Sequence, residues 1–230
     1  MTPWKLLDSA TVPGDGGELQ LYQRGDEFSI KLAGRGELMS SRVHGSEEAL
    51  AEQTCSRLGT THPRLLIGGL GMGFTLAAAL AHCGEQAAIT VAELVPAVVA
   101  WNRGPLGVCA GYPLQDPRVS VQEGDVAQQI TRGEQYYDAI VLDVDNGPEG
   151  LTHKKNNWLY GMDGLNAMYG ALRPGGVLAV WSAGAAPEFS QRLQKVGFEV
   201  EEVTVRAHGK KGARHILWFA RRLGLNKTTP

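Results

Sequence analysis

The chain lacks several features that would sort it at once. No apolar run reaches the roughly 18 residues needed to cross a bilayer. The opening stretch MTPWKLLDSATVPGDGG has no basic start leading into a long apolar segment, so no signal peptide is expected. There are 3 cysteines. Cys55, Cys83 and Cys109 are scattered and lack metal-ligand spacing, so reduced thiols, a cytoplasmic location and no metal site are expected. No sign of charge dominates: 22 Lys and Arg against 24 Asp and Glu give a formal net charge of -2. Neither a nucleic acid nor a membrane surface is therefore an expected partner. Internal repeats are missing too. The 30 glycines fall at segment ends without a period and read as turns.

What is present is an ordinary globular composition, 43% hydrophobic and 20% charged over 230 residues. That length suits one domain with a small appendage. The first part reads as a hairpin or three-strand meander. ELQLYQRG puts Leu19 and Leu21 on one face, EFSIKLAG alternates through Phe28, Ile30 and Leu32, and GELMSS follows a Gly-Arg-Gly turn. GSEEALAEQTCSRLG then predicts a helix capped by Ser46 and stopped by Gly59. From Arg64 onward, apolar strands alternate with helices at Phe74–His82, Pro96–Arg103, Val126–Arg132, Asp163–Leu172 and Pro187–Val196. This alternation predicts an α/β fold whose parallel sheet is covered on both faces. The last two strands are joined only by HGKKGA, too short for a parallel crossover, so the final strand should run antiparallel. The expected division is a β-strand region over 1–45 and an α/β domain over 46–230.

In open α/β sheets, ligands sit beyond the carboxyl ends of the strands. After the first parallel strand come Gly68, Gly69, Leu70, Gly71, Met72 and Gly73, a turn that lets a ligand approach main-chain N–H groups. It has no Lys-Ser/Thr, so a phosphate-cradling loop is unsupported. Glu93, followed by Leu94, ends the second strand about 20 residues after Gly73. That spacing suits a carboxylate accepting from both ribose hydroxyls. Asp125 can cap the next helix or, with the Val126 amide, face an adenine; both can hold. The fourth strand ends in LDVDNGPEG. Asp143 and Asp145, two apart, share one side of an extended strand, where either can orient an amine or act as general base. His208, Lys210, Lys211 and Arg214 fall in the closing hairpin and read as a solvated turn, with an anionic substrate as the alternative. Trp158 and Tyr160 read as core.

The same residues resemble a known group, the class I S-adenosylmethionine-dependent transferases, and within it the spermidine synthase family of polyamine aminopropyltransferases. YDAIVLDVDNGPE is similar to that family's Tyr-Asp-x-Ile-x-x-Asp-Ser-x-Asp-Pro segment, and DPRVSVQEGDV to its Asp-Pro-Arg-Val-x-x-x-x-Gly-Asp-Ala stretch. LAGRGELMSSRVHGSEEALAE runs without a gap along its Leu-Asp-Gly to Tyr-His-Glu segment. The resemblance implies a Rossmann-like seven-stranded methyltransferase sheet with an antiparallel last strand and a small N-terminal β-meander. It also implies cofactor contacts at the Gly68–Gly73 turn, Glu93, Asp125 and Asp143, and pairing of two copies through the N-terminal strands.

Several positions depart from the family. Glu37 stands where it has Gln, Ser46 and Glu47 where it has Tyr followed by His or Gln, and GGLGMG where it has Gly-Gly-Gly-Asp-Gly-Gly. DVDNGP is one residue longer than Asp-Ser-Thr-Asp-Pro, so Asp145 or Asn146 can stand at the catalytic Asp. GLGMG is instead the Gly-x-Gly-x-Gly turn of ordinary methyltransferases, which receives a methionine carboxylate. The expectation is a transferase using S-adenosylmethionine, or its decarboxylated form, on a small molecule. Methyl transfer is the favoured reaction. Aminopropyl transfer to a polyamine is the alternative, with Glu37, Glu47, Asp143, Asp145 and Asn146 around the acceptor. A non-catalytic relative is the third reading. A dehydrogenase using NAD fits the glycine turn and Glu93 but not the closing hairpin or DVDNGP.

Overall fold

A computed structural model describes residues 2–14, 16–144, 147–148, 157–208 and 211–224. Two sheets organise them. The smaller has four antiparallel strands in the order β1-β2-β3-β4: β1 (Lys5–Thr11), β2 (Glu18–Arg24), β3 (Glu27–Leu32) and β4 (Gly36–Ser40). Strands β2 and β3 follow the alternation in their sequences. Leu19, Leu21, Phe28, Ile30 and Leu32 are all buried. β1 is a strand that the sequence reading did not anticipate. Its register slips between Leu6 and Asp8, and such a bulge destroys the period of two by which a strand is recognised. It is held in part from outside the sheet, because the Trp101 indole N–H donates to Asp8 Oδ2 at 2.7 Å.

Helix α1 (Gly45–Ser56) leads into the larger sheet. His44, not Ser46, occupies its N-cap. Ser46 lies one residue inside, buried, with its hydroxyl donating to Glu47 Oε2 at 2.6 Å, so it is engaged away from the helix end.

The larger sheet has seven strands in the order β10-β11-β9-β8-β5-β6-β7. They are β5 (Arg64–Gly68), β6 (Ala88–Glu93), β7 (Val119–Glu123), β8 (Tyr137–Leu142), β9 (Leu172–Ser182), β10 (Phe198–His208) and β11 (Lys211–Arg222). β5, β6, β7, β8 and β9 pair in parallel. β11 is antiparallel to both its neighbours, as the short hairpin requires. The connecting helices are α2 (Phe74–His82), α3 (Pro96–Arg103), α4 (Val126–Arg132), α5 (Asn157–Tyr160), α6 (Met162–Ala171) and α7 (Pro187–Val196).

Alternate residues of the central strands feed two cores. Leu65, Ile67, Val91, Ala139 and Val141 face α1, α2, α3 and the N-terminal sheet. Leu66, Ala92, Ile140, Leu142 and Leu178 face α4, α6 and α7. Burial on both faces explains why these strands read as continuous apolar runs. Tyr160 is buried in the second core and Trp158 packs against it, as expected of both.

Candidate cofactor and acceptor site

A cavity of about 610 Å³ opens at the carboxyl ends of the parallel strands, and the N-terminal sheet supplies part of its wall through Leu19, Ile30, Leu32 and Met39. Its floor begins with the glycine turn. Gly69 takes φ +87°, and a Cβ there would fall 2.3 Å from the Asp143 carbonyl oxygen. The Gly69 N–H donates to Ala92 O at 2.9 Å, and the Asp143 N–H to Gly68 O at 2.9 Å. The turn is thus pinned between the ends of β6 and β8. Glycine is required at Gly69 by the chain's own crossing, before any ligand is considered.

Gly69, Leu70, Gly71 and Met72 line the cavity. Gly68 packs behind them against Val126 and Leu142, and Gly73 against Asn102 and Pro113. Asn102, which belongs to none of the motifs in the sequence, braces the turn from α3. Its Nδ2 donates to Gly71 O at 2.8 Å and to Val98 O at 2.9 Å. A fully buried amide on a helix otherwise facing the core through Val98, Val99 and Trp101 was the available signal.

Glu93 is buried at the end of β6, beside the turn. The Leu70 N–H donates to its Oε2 at 2.8 Å and the Val95 N–H to its Oε1 at 2.9 Å. Burial pushes its carboxyl above the usual range, against the pull of these main-chain donors. Each oxygen already has one donor and keeps a lone pair, so the carboxylate is oriented and can still accept from a diol. Leu94 follows it on the cavity wall. Asp125 caps α4, with the Ala127 N–H donating to Oδ1 at 2.9 Å, and it lines the cavity with Val126. Both readings of Asp125 are therefore compatible.

Asp143 stands on the far side of the turn from Glu93. Thr75, in the first turn of α2, donates its hydroxyl to Asp143 Oδ2 at 2.5 Å. Burial, reinforced by the Glu47 carboxylate, pushes the Asp143 carboxyl up to about 7, and the Thr75 hydroxyl pulls the other way. Glu47 lines the cavity from α1. Glu37 is not in that lining; it accepts from the Ser29 hydroxyl at 2.7 Å on the N-terminal sheet. Asp145, Asn146 and Lys210 lie outside the described residues. Arg214 is exposed in the hairpin, in keeping with a solvated turn. Thr75, Phe74, Met39 and Trp181 line the cavity without having been anticipated.

The electrostatic character is one-sided. The described lining contains the carboxylates Glu47, Glu93, Asp125 and Asp143 and no Lys, Arg or His. Such a cavity favours a cationic ligand with hydroxyl donors over a pyrophosphate. The start of α2 adds a second preference. Its N-cap is Gly73, which gives no side-chain cap, so first-turn amides remain for a small anionic group.

Comparison with known proteins agrees with this geometry. Residues 105–216 match the model of a family described as S-adenosyl-L-methionine-dependent methyltransferase. No curated protein matches the chain. Among solved structures, it is similar to spermidine synthase in complex with the transition state analogue AdoDATO, with a TM-score of 0.74 and 18% identity over 94% of this chain and 73% of the other. It is likewise similar to spermidine synthase from Thermotoga maritima, with a TM-score of 0.72 and 17% identity over 94% of this chain and 72% of the other. The strand order, the antiparallel β11 and these likenesses together show that the chain has a spermidine synthase-like fold.

Proposed function

We propose that the protein is a transferase that takes a methyl group from S-adenosylmethionine and delivers it to a small molecule. The observation that carries the cofactor reading is the cavity lining, with four carboxylates, no basic side chain among the described residues, and Glu93 oriented by two main-chain donors. When bound, the sulfonium of such a donor supplies an electrophilic carbon. The chain's own residues then bind and orient. Glu93 accepts from the ribose hydroxyls, and Asp125 with the Val126 amide faces the base. The uncapped start of α2 receives the methionine carboxylate. Asp143 sits where the acceptor must approach. With its carboxyl at about 7, it takes a proton from the acceptor or holds an acceptor amine. The N-terminal sheet keeps water from that end with Leu32, Met39 and neighbouring apolar side chains.

Two features favour methyl over aminopropyl transfer. The turn has Gly71, between the buried Leu70 and Met72, where the resembling family places an acid. The uncapped helix start also suits a donor that keeps its carboxylate. Aminopropyl transfer is the second reading, favoured by the likeness to spermidine synthase over 94% of the chain and by Glu47 facing Asp143. Calorimetric titration with S-adenosylhomocysteine beside methylthioadenosine separates the two, since these are the respective products. Preference for S-adenosylhomocysteine supports methyl transfer, preference for methylthioadenosine supports aminopropyl transfer, and binding of neither refutes both.

The proposal extends to setting. The protein works in the cytoplasm on a small molecule, as a homodimer joined through the N-terminal strands, without nucleic-acid or membrane partners. No helix among the described residues is long and apolar enough to cross a membrane. Sedimentation of the purified chain tests the dimer.

A further inference from the structure

One corner of the cavity holds polar groups to which the proposed chemistry gives no role. Trp181 lies near the carboxyl end of β9 and lines the cavity. In the sheet order β11-β9-β8-β5-β6-β7 it stands on the opposite side of β8 from Glu93 and Asp125, at the acceptor end. Its indole nitrogen is shielded from solvent and has no hydrogen-bond partner among the described residues. His215, on the adjoining strand β11, stacks on the indole with centroids 4.7 Å apart and planes 28° from parallel. The His215 Nδ1 is likewise shielded and without a partner among the described residues. Burial holds this imidazole below its usual range, which keeps it neutral against the indole face. Glu47 and Asp143 complete the corner.

The donor and acceptor inventory restricts what fits. An indole N–H only donates, and leaving it buried and unmet is costly. An ammonium group also only donates, so it satisfies Glu47 and Asp143 but never Trp181. A diamine would leave the indole orphaned. A molecule with both a donor and an oxygen satisfies the whole corner.

We propose that this corner is a subsite for an acceptor that carries a hydrogen-bond-accepting oxygen as well as an amine or hydroxyl donor. The oxygen accepts from Trp181 Nε1–H, and the donor is held by Glu47 and Asp143. His215 is a positioning residue that fixes the indole plane. This rests on the reading of the cavity as a transferase site and deepens it by naming the acceptor's chemistry.

The test is calorimetry on the full chain saturated with S-adenosylhomocysteine, using 1,4-diaminobutane and 4-aminobutan-1-ol as probes of equal carbon spacing. Trp181→Phe should weaken 4-aminobutan-1-ol about tenfold, equivalent to about 1.4 kcal/mol, while the diamine stays within about twofold. His215→Ala should erode the same discrimination and His215→Phe should restore it, with S-adenosylhomocysteine affinity unchanged in both. Equal effects of Trp181→Phe on the two probes, or no binding of 4-aminobutan-1-ol to the wild type, overturn the subsite. If Trp181→Phe does not fold, the wild-type indole N–H resonance of Trp181, assigned by elimination among the 5 tryptophans, decides. It must shift downfield with the amino alcohol and not with the diamine. Failure of both S-adenosylhomocysteine and methylthioadenosine to bind would instead remove the transferase reading itself.

Discussion

Gly69→Ala probes the central claim about the glycine turn, that it is shaped first by the chain's own crossing. The substitution meets two penalties. The first is conformational: φ at Gly69 is +87°, and a left-handed conformation costs an L residue about 1–2 kcal/mol. The second is steric. The new Cβ would lie 2.3 Å from the Asp143 carbonyl oxygen, so the end of β8 and the turn must separate. That separation strains the Asp143 N–H to Gly68 O bond and the Gly69 N–H to Ala92 O bond, each 2.9 Å and each contributing about 1 kcal/mol. The sum is about 3–4 kcal/mol. Gly34→Ala is the internal control. Its φ is +73° and a Cβ there meets nothing within 4 Å, so only the conformational cost of about 1–2 kcal/mol applies. Urea unfolding with a common slope gives both values. In thermal melts, Gly69→Ala should fall by about 10 °C and Gly34→Ala by about half of that or less. If the two variants differ by less than about 0.5 kcal/mol, well below the strength of the bonds said to be strained, the crossing argument fails.

Asp143 carries a pH prediction. Its carboxyl titrates at about 7 in the folded chain against an ordinary 3.8. As pH rises from about 4, the unfolded chain gives up its proton first, so folded-state stability falls until about pH 7 and then levels off. Asp143→Asn, neutral throughout, should match the wild type near pH 4 and melt several degrees higher near pH 8, with turnover lost. A melting difference that does not change with pH would contradict this. Asn102→Ala deprives the Gly71 and Val98 carbonyls of their buried donor. It should cost about 2 kcal/mol and weaken S-adenosylhomocysteine, and unchanged affinity would show that the brace is dispensable. Glu93→Ala should lower S-adenosylhomocysteine affinity about 100-fold or more, because two hydrogen bonds to a charged acceptor contribute about 1.5–3 kcal/mol each. Retained affinity would sink the ribose role.

Much of the architecture was legible before any coordinate. Strands such as RLLIG and YDAIVL are apolar at every inward position on both faces, and that local pattern alone predicts a covered parallel sheet. The six residues of HGKKGA cannot cross a sheet, so the direction of β11 followed from connection length. Helix limits at Phe74–His82, Pro96–Arg103, Val126–Arg132 and Pro187–Val196 agree with the structure, because glycines, prolines and the cap at Asp125 mark them locally. The glycine turn and the spacing to Glu93 likewise belong to one short βαβ stretch, where sequence distance determines spatial distance.

Tertiary structure decided what depends on chain segments far apart in sequence. β1 has a bulge and little burial, so no period betrays it, and its tie to Trp101 spans much of the chain. Glu37 and Glu47 looked equally suited to an acidic wall. Register on the N-terminal sheet turned Glu37 to Ser29, while α1 carried Glu47 to the cavity. The Asn102 brace and the Trp181–His215 stack join strands and helices whose adjacency only the completed sheet order sets. The glycine turn shows the division most plainly. Its residue types were readable as a turn, but that Gly69 has no room for a Cβ follows from where the end of β8 lies, and no local pattern encodes the position of a strand some seventy residues away.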